Sequence, residues 1–211
     1  MPIKSLSHEE IKHRLPTGKA GQTFTTWKIA IISDTHDNFA TTEKALCWIK
    51  RNSIHTLIHC GDLCAPTFLT QFLAKKFSGA IHLVYGNVGD RRLLEERLGS
   101  FPNVEYHRDV GKIQIGNKKI AFTHFPAKAK ELARTGRYDI VFYGHTHRPW
   151  EDRIKIKDAP AGLKILKNKK RLMRSVRLVN PGTLAGMFYK ATFAVYDPTT
   201  DKLELKILER L

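Results

Sequence analysis

The chain has 211 residues, 42% of them hydrophobic, and its 36 Lys/Arg against 20 Asp/Glu give a net charge of +16. That length allows one domain with a sizeable core, no apolar run is long enough to span a membrane, and three cysteines are too few for a disulfide framework. The start carries Glu9 and Glu10 and no apolar signal-type stretch, so a cytoplasmic setting with reduced thiols is expected, while the basic excess points to an anionic substrate or partner.

Residues 1–27 read as an N-terminal arm. Ser7-His8-Glu9-Glu10 fits a capping box ahead of Ile11 and Leu15, with a partly disordered arm as the alternative. From Trp27 the pattern changes. Strands are expected at Trp27 to Ile32, Ile54 to Cys60 and Ile81 to Tyr85. Helices are expected at Asn38 to Arg51, Pro66 to Lys75 and Arg91 to Leu98. This alternation argues for a mainly parallel α/β sheet. The second half is richer in strands: Val104 to Arg108, Lys112 to Ile115, Lys119 to Thr123, Tyr138 to Tyr143, Val176 to Val179, Thr192 to Tyr196 and Leu203 to Leu208. One helix, Ala127 to Arg134, interrupts them. Two sheets packed face to face between outer helix layers would hold these elements. No linker is long enough to divide residues 28–211 into two domains.

Five short motifs each follow an apolar, strand-like run: Asp34-Thr35-His36, Gly61-Asp62, Gly86-Asn87, Thr123-His124 and Gly144-His145-Thr146-His147. In open α/β sheets ligands bind at the carboxyl ends of strands, so residues far apart in sequence can converge there. Carboxylate and amide oxygens mixed with imidazoles suit Mn²⁺, Fe²⁺ or Zn²⁺ better than Ca²⁺. Two such ions need a carboxylate between them to offset their repulsion. Asp62 is the natural bridge, because Gly61 allows a tight turn beside it.

Together these motifs resemble the signature of the calcineurin-like metallophosphoesterases, more closely their small prokaryotic, YfcE-type phosphodiesterase branch. Ser33-Asp34-Thr35-His36-Asp37, Ile58-His59-Cys60-Gly61-Asp62 and Asn180-Pro181-Gly182-Thr183 support the likeness, which spans roughly Lys28 to Asp197. The resemblance implies a four-layer α-β-β-α sandwich. It implies one metal held by Asp34, His36, Asp62 and His147, and another by Asp62, Asn87, His124 and His145. Manganese is the leading expectation, with Ni, Fe or Zn as alternatives. A water or hydroxide shared by both ions would attack phosphorus, with Asp62, Asn87 and His145 as the catalytic residues.

The chain departs from relatives in three places. Val88 stands where many carry a histidine that protonates the leaving group. Asp90 is displaced by one extra residue in Gly86-Asn87-Val88-Gly89-Asp90. Phe125-Pro126 makes the loop after His124 more apolar.

Other polar residues carry blander expectations. His59 and Cys60 lie in the strand leading to Asp62 and read as packing residues. His8, His13, His55, His82 and His107 read as surface or packing residues. Asp37 either orients a ligand imidazole or caps a loop. Arg91, Arg92 and Arg148 follow site loops and read as solvated or salt-bridged, and the Asn180 turn as structural. Between Glu151 and Val179 ten Lys/Arg residues face Glu151, Asp152 and Asp158 only. This basic insertion, around 151–179, reads as a hairpin or lid beside the pocket. Its residues 164–177 form either a solvated loop or a nucleic-acid groove.

The functional expectation is a divalent-metal-dependent phosphoesterase, and among these a phosphodiesterase. The alternatives are a nuclease guided by the basic stretch, or a non-catalytic protein-interaction scaffold on the same fold. A homo-oligomer using the N-terminal arm stays open.

Overall fold

Runs of parallel strands set the frame of both sheets. The computed structural model describes residues 27–156 and 174–211. The N-terminal arm up to residue 26 and most of the basic stretch lie outside the described residues. In the first sheet β1 (Ile29–Ile32), β2 (Thr56–His59), β3 (Ala80–Leu83) and β4 (Val104–Tyr106) pair in parallel. β10 (Thr192–Asp197) and β11 (Lys202–Ile207) continue it antiparallel, giving the order β11-β10-β1-β2-β3-β4.

The second sheet has the order β5-β6-β7-β9-β8. It contains β5 (Val110–Ile115), β6 (Lys118–Thr123), β7 (Ile140–Phe142), β8 (Trp150–Lys155) and β9 (Ser175–Asn180). Here β6, β7 and β9 run parallel, flanked by antiparallel β5 and β8.

Side-chain alternation in the strands builds the layers. Ile29, Ile31, Ile58 and Tyr196 of the first sheet meet Ile120, Phe122, Ile140 and Phe142 of the second. Their alternate neighbours point outward. Ala30, Ile32, Leu57 and Leu83 meet α1 (Phe39–Arg51) and the 68–76 segment, with Leu94 of α3 (Arg91–Arg97) in the same cluster. Ala121 and Val141 meet Ala129, Leu132 and Ala133 of α4 (Pro126–Arg134). Each large apolar side chain buried this way is worth about 1.5–3 kcal/mol. The result is the four-layer α-β-β-α sandwich expected from the sequence. No described helix is long and apolar enough to cross a membrane.

Two local expectations need correction. The helix expected over Pro66 to Lys75 is mostly π-helical, at Phe68–Leu73, and α-helical only at α2 (Ala74–Lys76). Trp150–Lys155, absent from the expected strands, is an edge strand paired along its length with Ser175–Asn180. Both ends of the expected 151–179 insertion therefore belong to the second sheet.

Residues 157–173, which carry most of the expected hairpin or lid, lie outside the described residues, and only its two roots are placed. β9 runs parallel to β7, whose carboxyl end leads to His145. The hairpin's roots, joined by Ile156 N–H donating to Arg174 O at 2.9 Å, open at the other end of β9. That is roughly 17 Å from the site loops at ~3.3 Å per residue.

Two described basic residues at the far end of this stretch, Arg174 and Arg177, make contacts within the fold. Arg177 is buried, donates to Glu151 Oε1 at 2.8 Å and to Asp201 O at 2.6 Å, and stacks over Tyr196. Arg174 donates to Asp139 Oδ1 at 3.2 Å. Arg177 is therefore a structural residue of the second sheet, while the Arg174 side chain stays 40% exposed.

Candidate metal centre

The carboxyl ends of β1, β2 and β3 in one sheet, and of β6 and β7 in the other, deliver the seven residues to one edge of the sandwich. Backbone bonds lock the loops together. Asp34 N–H donates to Gly61 O at 3.0 Å, His36 N–H to Asp62 O at 3.1 Å and Asp62 N–H to Tyr85 O at 2.9 Å. Gly144 N–H donates to His124 O at 3.0 Å, and His145 N–H reaches across to Asp34 Oδ2 at 3.1 Å.

Two groups of donor atoms result. In the first, His36 Nε2 and His147 Nε2 are 3.2 Å apart. Asp34 Oδ1 lies 3.2 Å from His147 Nε2, and Asp62 Oδ2 lies 3.7 Å from His36 Nε2. In the second, Asn87 Oδ1 is 2.8 Å from both His124 Nε2 and His145 Nδ1. Those two ring nitrogens are 3.2 Å apart, and Asp62 Oδ1 sits 3.3 Å from His124 Nε2. Asp62 thus presents one oxygen to each group.

The donor chemistry of the second group fits a cation. His124 Nδ1 faces the Cys60 carbonyl at 2.9 Å and must donate to it. In the neutral ring Nε2 is then a lone pair, turned toward Asn87 Oδ1 and Asp62 Oδ1, which only accept. Such inward lone pairs repel unless positive charge sits among them. Without metal a proton serves: burial disfavours the imidazolium, but Asp62 outweighs burial and raises His124 above its usual range. Burial also raises the Asp34 carboxyl, against the pull of Ser33, His124 and His147. Burial works the same way on Asp62, yet His124, the Asn87 N–H and His36 hold it at about 2. The two clusters could therefore hold divalent metal.

Backbone strain concentrates here. Asp34, His36, Asp62, His145 and His147 all have positive φ, between 41° and 72°. L-residues rarely adopt this region, at a cost on the order of 1 kcal/mol or more each. Five of the seven candidate residues bearing such strain argues for function over stability. Gly86 (φ 113°) lies against Asp62, and a Cβ there would stand 2.4 Å from Asp62 Oδ1. That close approach lets the Asn87 and Val88 N–H groups donate to the same oxygen at 2.8 and 3.2 Å.

The flanking residues divide by role. Asp37 accepts from Cys64 N–H and Ala65 N–H, so it caps the 62–65 loop and does not orient an imidazole. Asp90 caps α3 by accepting from Leu93 N–H at 2.9 Å. Arg91 pairs with Asp109 and Glu95, Arg92 with Glu96, and Arg148 stacks on Trp150.

Buried Asn180 donates to Gly144 O and Thr146 Oγ1, and Thr183 Oγ1 donates to Asp34 O at 2.8 Å. The Asn180 turn thus braces the site loops. Aromatic rings flank both clusters: Phe125 lies against His124 and His145, and Phe188 against His147. A shallow pocket of ≈ 330 Å³ beside them is lined by Tyr143, Thr146, Arg148, Trp150 and Tyr189. Sequence reasoning had no signal for Phe188, Trp150 or Tyr189, which sit outside the motifs.

A family model for the calcineurin-like phosphoesterase superfamily domain matches residues 27–201. The chain belongs to this superfamily. It is 36% identical over 126 residues to phosphodiesterase MJ0936 of Methanocaldococcus jannaschii, covering 57% of this chain and 73% of that one. Among solved structures, an archaeal phosphodiesterase superposes with a TM-score of 0.65 at 26% identity, over 85% of this chain and 99% of its own. YfcE, a phosphoesterase from E. coli, shares the fold at a TM-score of 0.55 and 16% identity, over 86% and 99% of the two chains. Membership makes this chain a phosphoric ester hydrolase of a metal-using family.

One supporting histidine of this phosphoesterase sets a pH response. His59 Nδ1 accepts from Gly61 N–H at 3.1 Å, so its proton is on Nε2, donated to Thr35 Oγ1 at 3.1 Å. Burial lowers this imidazole to about 3, whereas an unfolded histidine titrates near ~6.5. Between those values the unfolded chain binds a proton that the folded chain refuses. The stabilisation is complete above the unfolded value and is lost as pH falls, at up to about 1.4 kcal/mol per pH unit. The His59→Gln variant should flatten the fall in unfolding free energy between about pH 6.5 and 4. Urea unfolding of metal-free protein measures this, and an unchanged slope would contradict it.

Proposed function

We propose that the chain is a divalent-metal-dependent phosphodiesterase. Asp34, His36, Asp62 and His147 would hold one ion, and Asp62, Asn87, His124 and His145 the other, with Mn²⁺ the leading candidate. The observation that carries this reading is the placement of Asp62, with one carboxylate oxygen turned to each group of donors. When bound, such a cation pair lowers the pKa of a water and offsets charge on phosphoryl oxygens.

The chain's own residues orient the reaction. The Asn87 and Val88 N–H groups fix the Asp62 carboxylate. The Asn87 carbonyl faces the two imidazoles, which leaves its Nδ2 to donate to a phosphate oxygen. His145 and Asn87 are exposed at the rim, so substrate reaches them without a large opening. Val88 supplies no imidazole to protonate the leaving oxygen, which favours good leaving groups.

The preference for diesters rests on the rim. Phe125 on one flank and Phe188 on the other give each ester arm an apolar neighbour. A monoester has only one arm to place. The name borne by the 36%-identical relative supports the same choice.

The test compares bis-p-nitrophenyl phosphate with p-nitrophenyl phosphate in the presence of Mn²⁺. The diester should be favoured in kcat/KM by at least about tenfold, ~1.4 kcal/mol of barrier. A preference for the monoester would overturn the diesterase assignment.

A further inference from the structure

His82 and His107, expected to be packing or surface residues, stand together with a glutamate outside the phosphoester site. His82 lies on β3 and is the register partner of Glu105 on β4. His107 follows β4 two residues after Glu105, so strand periodicity sets all three on one face. Ile81, Leu83, Val104 and Tyr106 take the other face, against the helical layer. The histidine rings instead edge against Phe122 of the second sheet, at 6.4 and 5.1 Å between centroids. His82 sits roughly 17 Å of extended chain before Asn87, and its donor group shares no residue with the phosphoester site.

The spacing of donor atoms is that of one coordination sphere. His82 Nδ1 and His107 Nε2 are 3.1 Å apart. Glu105 Oε2 is 3.3 Å from His82 Nδ1, and Glu105 Oε1 is 3.6 Å from His107 Nε2. A tetrahedral ion with ligand bonds of ~2.0–2.1 Å separates neighbouring ligands by about 3.3–3.4 Å. All three contacts fall within a few tenths of an ångström of that edge. The two imidazoles are largely buried, with side chains 15% and 11% exposed, while Glu105 is 63% exposed. An ion can therefore enter past the glutamate, and water can complete its shell.

We propose that His82, Glu105 and His107 form a mononuclear Zn²⁺ site that clips the edge strand β4 to β3. Two imidazoles with one carboxylate select Zn²⁺ over Ca²⁺ or Mg²⁺, which prefer all-oxygen shells. β4 is only three residues long and lies at the sheet edge, where an added tie limits fraying.

The test counts Zn²⁺ bound per chain, by equilibrium dialysis and atomic emission, on chelator-stripped full-length protein. The His82→Gln/His107→Gln variant should bind one equivalent fewer than wild type, whatever number the phosphoester cluster takes. Its Mn²⁺-supported phosphodiester hydrolysis should stay within about twofold of wild type, which separates this site's failure from the catalytic reading's. Circular dichroism checks that the variant is folded. If it is not, Glu105→Gln, on an exposed side chain, serves instead. It should weaken that one Zn²⁺ at least about tenfold, the smallest loss expected even for an outer-shell partner. Equal Zn²⁺ counts in a folded double variant, or unchanged affinity in Glu105→Gln, would overturn the proposal.

Discussion

Replacing Asp62 with Asn should lower kcat/KM by at least ~10³-fold, about 4 kcal/mol of barrier, with the chain still folded. Asparagine is nearly the same shape and keeps an oxygen for the Asn87 and Val88 N–H groups that now donate at 2.8 and 3.2 Å. What it loses is the charge between the two donor groups. The carboxylate faces His124 Nε2 on one side and His36 Nε2 on the other. Two divalent ions ~3.5–4 Å apart need a shared anion to coexist. The amide NH₂ would also turn a donor toward one cluster, where a lone pair is required. Steady-state kinetics with saturating Mn²⁺ decide the matter, and retention of more than a tenth of wild-type turnover would refute the role given to Asp62.

The second large effect is metal removal. Activity should fall to the uncatalysed background after treatment with a strong chelator. Mn²⁺ should restore it and Ca²⁺ should not. The reason lies in the donor set: four imidazoles, two carboxylates and one amide oxygen converge on the site. Ca²⁺ demands six to eight oxygens, whereas Mn²⁺ accepts a mixed nitrogen and oxygen shell. The chain's own general-acid resources are thin, since Val88 follows Asn87. Little remains to sustain turnover without the cations. Full activity in excess chelator would contradict the account.

Much of this was readable before any coordinates, for a physical reason. A strand buried on both faces must be an apolar run, so its end is conspicuous when a carboxylate or histidine follows. Asp34, Asp62 and His124 are all buried, and each follows such a run. Parallel pairing then brings those ends to one edge. The same logic explains what could not be read.

Trp150–Lys155 is an edge strand whose side chains are mostly exposed, so it shows no alternation of apolar residues. Its charges read as part of a solvated stretch, whereas Arg177, within the expected strand Val176 to Val179, is buried among Glu151, Asp201 and Tyr196. Phe68, Leu69, Phe72 and Leu73 are all buried. A segment buried around so much of its circumference gives no periodicity to separate π from α turns.

His82 and Glu105 are far apart in sequence and meet only through the register of β3 with β4. Glu105-x-His107 alone, at a strand's period of two, was too common a pattern to mark a site. The strained φ values at Asp34, His36, Asp62, His145 and His147 likewise have no sequence signal, since none is glycine.

The central claim is that Asp62 joins two cations at the meeting point of the two sheets. Anomalous diffraction from Mn²⁺-loaded crystals tests it directly. Two peaks ~3.5–4 Å apart should appear, one beside Asp34, His36 and His147, the other beside Asn87, His124 and His145, each bonded to an oxygen of Asp62. A single peak, or two that leave Asp62 unbonded, would contradict the account.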